Sequence, residues 1–403
     1  PYDPANPTLI VKNSGAPVQP GDTIYLLSGY HGYLSIVGAI NSGTVTVKAA
    51  PGANPTFKYI SITSGKNWIF DGVSISPSYA PVYSNDGVLF KVLDHNYTGP
   101  SSNITIKSSY IFSVTDISGW SKEDWVENAS SGIVSEGEYT IVENVTIRNV
   151  GEGISLVGAP YSIVKENTIS NICFDGLRIV DSDFTKVEYN TIKNVYTVVD
   201  YSLYHYDLIQ AWTLDGDMEG VEIRGNTLIA HEDPNQQYKD IVQGIGFFDG
   251  WFDNFIIENN LVVTEGYHGV SLYGARNCKV VNNTVVDSPI TIVGHKNLTS
   301  GENNIISNNF SDSIITTETT GDGGIIVNSN NIVAFAVADH FVDATLNDYK
   351  LKAGSSAIGA GLVTYSPSVD ISNRPRGNPP DIGAYEYIRT HSRGTVPFPT
   401  LSN

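Results

Sequence analysis

The feature that most constrains the fold is an asparagine that returns ahead of a short apolar pair. It stands at Asn144-Val-Thr-Ile, Asn167-Thr-Ile, Asn190-Thr-Ile, Asn226-Thr-Leu, Asn260-Leu-Val, Asn283-Thr-Val and Asn309-Phe. The intervals are 23, 23, 36, 34, 23 and 26 residues. A basic period near 23, lengthened in places by about a dozen residues, is a solenoid signature. Helical repeats would carry apolar residues every three or four positions. The runs at 145–148, 221–224 and 255–258 alternate instead, as strands do. Three short strands and three turns need roughly 20–25 residues, at about 3.3 Å per strand residue. The expectation is an all-β chain, a single-stranded right-handed parallel β-helix of about ten coils or more. The asparagines would stack at one turn as an amide ladder.

Composition agrees. Only 16% of the 403 residues are charged, Met occurs once and Gly 38 times. Turn formers and β-branched residues suit an all-β fold. A length prior alone suggests two or three domains, but a solenoid grows in one dimension. The net charge of −19 leaves no basic footprint for nucleic acid. No apolar run approaches a membrane span. Pro1 opens no signal peptide, so the chain is read as mature or trimmed. Cys173 and Cys278 have no metal-type spacing, which argues against a zinc site. The repeat sets them about three coils apart, near 14 Å, too far to pair.

A second column runs in phase with the asparagines: Glu152-Gly-Ile-Ser-Leu, Asp175-Gly-Leu-Arg-Ile, Asp207-Leu-Ile-Gln-Ala, Gln243-Gly-Ile-Gly-Phe and His268-Gly-Val-Ser-Leu. Each places a polar residue at a strand entry. Alternation sends Ile154, Leu177, Ile209, Ile245 and Val270 inward and the next residues outward. One outer face would then carry a polar row of Arg178, Gln210 and Ser271. Beside it would lie an aromatic row of Trp212, Phe248 and Tyr273. The longest insertions, Asn194 to Tyr206 and Ala230 to Lys239, would wall a groove over this face. Residues 1–338 are read as the β-helix, with 1–85 as its first coils. Residues 339–403 are read as an irregular tail capping the last coil, whose strands would otherwise leave an open edge.

Gly21-Asp-Thr-Ile-Tyr-Leu-Leu-Ser-Gly followed by Lys48-Ala-Ala-Pro-Gly resembles the N-terminal coils of the chondroitinase B and alginate lyase group. Gly354-Ser-Ser-Ala-Ile-Gly-Ala-Gly and Asp381-Ile-Gly-Ala-Tyr-Glu-Tyr resemble a tail common in extracellular β-helix proteins. The resemblance implies a secreted or phage-virion-associated protein that acts on polysaccharide. The fold hosts lyases, hydrolases, epimerases and tailspike depolymerases, so the reaction does not follow from it. The chain lacks the Lys and Arg catalytic pattern of the chondroitinase B group and the acidic Gly-rich nonapeptide repeat that binds calcium. No catalytic residue carries over.

The chemistry concentrates in Tyr201 to Trp212, where His205 and Asp207 stand two apart. A carboxylate beside an imidazole raises its pKa and fixes its tautomer. The first expectation is a lyase cleaving a uronate-containing polymer by β-elimination. His205 would be the base, Arg178 and Gln210 the carboxylate binders, and Tyr204 or Tyr206 the acid. Gln243, Trp212, Phe248, His268 and Tyr273 would contact the sugar chain. The second is a glycoside hydrolase using Asp175 and Asp207, about 5 Å apart in adjacent coils, a spacing that suits retaining enzymes. The third is a non-catalytic glycan-binding module. No resident cofactor is expected, although an acidic column of this kind can bind calcium. The expected partner is a polysaccharide, held by a monomer or a tailspike-like trimer.

Overall fold

In a computed structural model, residues 18–95, 99–334 and 337–388 are described. Three parallel sheets, each of 12 strands, run the length of the molecule as a right-handed β-helix. Sheet A contains Ile141–Glu143, Ile163–Lys165, Lys186–Glu188 and Glu222–Arg224. Sheet B contains Thr146–Val150, Thr168–Ile172 and Thr191–Val195. Sheet C contains Ile154–Val157, Leu177–Val180, Asp207–Glu219, Gln243–Asp253 and Val270–Tyr273. Alternation fills the interior. Ile154, Leu177, Ile209, Ile245 and Val270 stack in register, fully buried.

The corner between sheets A and B holds the ladder. Asn167 Nδ2 donates to Asn190 Oδ1 at 2.9 Å, and the chain of amides passes through Asn226, Asn260, Asn283 and Asn309 to Asn331. Each Oδ1 also accepts a backbone N–H from the preceding coil, as Asn226 does from Asn190 at 2.9 Å. One expected member falls outside. Thr146 pairs with Thr168, so Val145 occupies the ladder position opposite Asn167. Asn144 is instead the left-handed turn residue before it, with φ 51°. Asn259, Asn282, Asn308 and Asn330 take that same turn position in later coils. Asn suits it because its short amide tolerates the left-handed region.

The tail runs along the flank of the helix and meets the turn column at successive coils. Tyr189 Oη donates to Asn373 Oδ1, and Asn259, Asn282, Asn308 and Asn330 donate to the carbonyls of Val369, Asp381, Leu362 and Ala360, all at 2.7–3.0 Å. The cause lies outside sheet B. Leu261, Val286 and Phe310 project there and are buried by Phe341, Leu351, Ile371 and Ile382. Covering that face takes these apolar side chains out of water.

A short helix, Lys122–Asn128, was not foreseen. Its capping box joins Ser121 and Asp124, and Trp125 packs against Cys173 and Val198 in a satellite core beneath the loop 196–206. Both cysteines are free and buried. No helix among the described residues is long and apolar enough to cross a membrane.

Candidate functional site

The outer face of sheet C and the corner before it gather most of the singled-out residues. Arg178 and Gln210 pair in register and are followed by Gly246 and Ser271. The aromatic row is not in simple register. Ala211 pairs with Phe247, but Trp212 pairs with Asp249, so Phe248 is the extra residue of a β-bulge. Its ring folds back over Gly246, where a Cβ would lie 2.4 Å from Phe248 Cε2. The glycine is what lets the ring reach His268, at 4.7 Å between centroids, and Tyr273, at 5.5 Å.

The corner column divides into two environments. The first is closed. Arg178 Nη1 meets Glu152 Oε1 at 2.5 Å and Nε meets Asp175 Oδ2 at 2.6 Å. Its Nη2 donates to Tyr204 Oη at 2.5 Å, and its guanidinium lies 5.9 Å from the Trp212 ring. Arg178 is therefore occupied by two carboxylates rather than open to a substrate carboxylate. Asp175 is 1% exposed and Asp207 0%. Asp175 Oδ1 accepts the Asp207 backbone N–H at 3.0 Å, while neither oxygen of Asp207 has a partner among the described residues. Burial first, then the charge of Asp175, pushes the Asp207 carboxyl well above the usual range, with Arg178 opposing. Asp207 is thus sealed from solvent, and its surroundings favour the protonated carboxyl. The pair expected to perform hydrolysis cannot touch a glycan in this arrangement. Tyr206 is corrected too. It is fully buried, its hydroxyl donates to Val199 O at 2.8 Å, and burial pushes it up to about 12.

The second environment is open. His205 is exposed and its ring packs at 4.8 Å on Tyr201, whose hydroxyl accepts from Gln243 Nε2 at 2.8 Å. Gln243 is 2% exposed, so it positions the loop and does not face a substrate. His268 is half-buried, with Nδ1 3.0 Å from Ser271 Oγ. Burial lowers its pKa below the ordinary imidazole value. His205 and Lys296 push the same way and Glu318 opposes. These surroundings favour the base form of His268 over that of an ordinary imidazole. Tyr273 Oη donates to Glu318 Oε2 at 2.9 Å, and burial holds that phenol protonated.

Lys296 escaped the sequence reading. Its Nζ lies 5.9 Å from the Phe248 ring and 2.6 Å from Asp249 Oδ1. Trp251 was missed as well. It stacks on His295 at 4.9 Å and lies under Arg276 at 4.5 Å. A signal existed: His295-Lys296 follows the strand Ile290–Val293, which pairs with Val270–Tyr273 in the same outward face. Among the described residues no group of three or more His, Cys, Asp or Glu side chains could hold a metal ion. In the acidic column the Arg178 guanidinium occupies the place between Glu152 and Asp175.

Comparison with known proteins places the fold. Residues 40–233, just under half of the chain, match the family model for a right handed beta helix region. No curated protein matches the sequence. Among solved structures, pectate lyase Pel9A aligns over 93% of this chain and 90% of its own, with 16% identity and a TM-score of 0.47. A mannuronic acid specific polysaccharide family 6 lyase from human gut microbiota aligns over 81% of each chain, with 13% identity and a TM-score of 0.48. The Dettilon tailspike protein aligns over 77% of this chain and 62% of its own, with 13% identity and a TM-score of 0.41. These likenesses are of fold, at a distance. The chain is a right-handed parallel β-helix protein, distantly similar in structure to polysaccharide lyases and to a tailspike.

Proposed function

We propose that the open half of the sheet C face cleaves a uronate-containing polysaccharide by β-elimination, with His268 as the base. The observation that carries this is a half-buried imidazole held by Ser271 against Phe248 and Tyr273, with the Lys296 ammonium on the same Phe248 ring. A base must remove the proton alpha to the uronate carboxylate, and a cation must stabilise the charge that develops on that carboxylate. Burial lowers the His268 pKa and so favours its base form. Lys296 supplies the cation. Its pairing with Asp249 is between side chains 49% and 64% exposed, and such a pair is worth at most about 1 kcal/mol. A substrate carboxylate can replace Asp249 at little cost. As the new C=C double bond forms, the glycosidic oxygen leaves with the bonding pair and takes a proton, for which His205 is the exposed donor. Phe248 and Tyr273 offer apolar ring surface to the sugar. Glu152, Asp175 and Arg178 form the support that fixes Tyr204 and the loop before His205. A polymeric substrate of this kind is met outside the cell, which is where the reading sets the protein.

The test is a panel of uronate polysaccharides, including alginate, pectate and chondroitin sulfate, assayed for reducing ends and for the ultraviolet absorbance of an unsaturated uronate. Both signals should rise together on at least one polymer. His268→Asn should lower kcat by about 10²–10⁴, the usual share of a catalytic base, with an unchanged circular dichroism spectrum. Reducing ends without absorbance would establish hydrolysis instead. No product from any polymer, or full activity in His268→Asn, would overturn the reading.

A further inference from the structure

The corner between sheets C and A carries another column of left-handed residues: Asn67, Asn103, Tyr139, Tyr161, Phe184, Gly220, Asn254, Asn277 and Asn303. Asn and Gly are the residues that tolerate this conformation. Three aromatic residues in a row are the exception, since a bulky side chain disfavours positive φ. Tyr139 and Tyr161 have φ 56° and 60°, and Phe184 has φ 55°. No core explains them, because all three are exposed, at 44%, 44% and 37%. They stack face to face, Tyr139 on Tyr161 at 5.0 Å and 10°, Tyr161 on Phe184 at 5.1 Å and 8°.

The two ends of the stack differ. At one, the Phe184 ring lies against Gly220, where a Cβ would sit 2.5 Å from Phe184 Cδ1, so the backbone closes it. At the other, Tyr139 and Tyr161 border a cavity of about 330 Å³ over the outer face of sheet A. Asn103 occupies the position one coil before Tyr139 and is exposed at the rim of this cavity. Thr105, Ile141 and Ile163 form the floor. None of the lining residues carries a charge.

We propose that this cavity is a second carbohydrate site, on a different sheet from the sheet C groove, and that it binds an uncharged glycan. An aromatic surface supplies a platform for the apolar face of a sugar ring. The exposed Asn103 amide and the Thr105 hydroxyl can exchange hydrogen bonds with sugar hydroxyls, donating and accepting as those hydroxyls do. The uncharged lining offers no counter-ion to a uronate carboxylate, and burying an unpaired carboxylate is costly. The site therefore selects neutral sugars, where the sheet C groove, with Lys296, suits acidic ones.

Affinity electrophoresis through gels containing galactomannan, xyloglucan or mixed-linkage β-glucan tests this directly. At least one polymer should retard the protein. Tyr139→Asn should weaken that retardation at least tenfold without lowering the melting temperature, because Asn is the residue this column uses elsewhere in the left-handed conformation. Asn103→Ala should weaken it to a lesser extent. His268→Asn should be retarded as the unsubstituted chain is. Absence of retardation by all three polymers would overturn the proposal. So would retardation that survives Tyr139→Asn or is lost in His268→Asn. A large fall in melting temperature for Tyr139→Asn would instead assign the stack a structural role and overturn it as well.

Discussion

Asp207 holds both carboxylate oxygens out of water, with no donor to either among the described residues. A charge in that position is expensive, so burial favours the protonated form. Asp175 adds repulsion and Arg178 offsets part of it. The folded chain binds this proton more tightly than the unfolded chain does. The resulting stability is whole below the ordinary carboxylate range and is lost as pH rises toward the folded value. Asp207→Asn keeps the shape and removes the titration. Its melting temperature should match the parent near pH 4 and exceed it increasingly at higher pH. The gain is up to about 1.4 kcal/mol for each pH unit between the unfolded and folded values. A constant gap across that range, measured by calorimetry, would mean Asp207 is ionised in the fold. His268 gives the converse case. Burial lowers its pKa, so the base form persists into more acidic solution. The acid limb of kcat/KM for elimination should fall below the pH at which an ordinary imidazole titrates. His205→Ala, which removes a neighbouring charge, should move that limb upward.

At the scale of the element, the corner between sheets A and B separates two asparagine roles that look alike in the sequence. Asn226 is fully buried and donates to Val187 O at 2.9 Å and Asn260 Oδ1 at 2.9 Å, while accepting from Asn190. Asn226→Ala leaves the buried Asn190 backbone N–H without its acceptor and removes one bond each from Val187 O, Asn190 Nδ2 and Asn260 Oδ1. With about 1–3 kcal/mol for the stranded donor and about 1 kcal/mol for each further bond, it should lose on the order of 3 kcal/mol in urea denaturation. Asn144 is exposed and makes one long contact, 3.5 Å to Ser108 Oγ. Asn144→Gly keeps the left-handed turn and should change stability by less than about 0.5 kcal/mol. Equal losses in the two variants would contradict the division of roles. The bulge at Phe248 belongs to this scale too. It converts a strand residue into a lid over Gly246 and brings its ring to His268.

Across the whole molecule, the tail is the part that links distant coils. Arg376 is its hub, with Nη2 2.6 Å from Asn259 Oδ1 and 2.8 Å from Gly383 O. Arg376→Ala breaks the ion pair to Glu386, takes the donor from Asn259 Oδ1 and removes one bond each from the carbonyls of Asp381, Gly383 and Ala384, a loss of about 3–5 kcal/mol, as for a broken buried pair. The variant should bind a hydrophobic dye and be cut by protease within 353–386 while the β-helix spectrum persists. Resistance to both would show that the tail is held elsewhere. The fold was legible because period-two alternation and the asparagine spacing both survive insertions in the turns. The register of sheet C was legible as far as Gln210, since every coil places one residue there. Beyond it, the bulge at Phe248 left no local trace, because an extra residue is recognised only against its partner strand. Lys296 lay hidden in a turn, where no periodicity reports direction. Tyr206 misled because polarity at a strand entry reads as outward, while the loop 196–206 turns its ring into the core.

The flank arrangement of the tail also bears on the order in which the chain is made. The turn column from Tyr189 to Asn330 and the apolar row at Leu261, Val286 and Phe310 are synthesised before the residues from Phe341 onward that cover them. Coils can stack as they emerge, each templated by the one before. One side of the growing solenoid must then wait, its amides wetted and its phenylalanine bare, until the closing segment arrives. That interval is when a nascent β-helix of this design most needs protection from a second copy of itself.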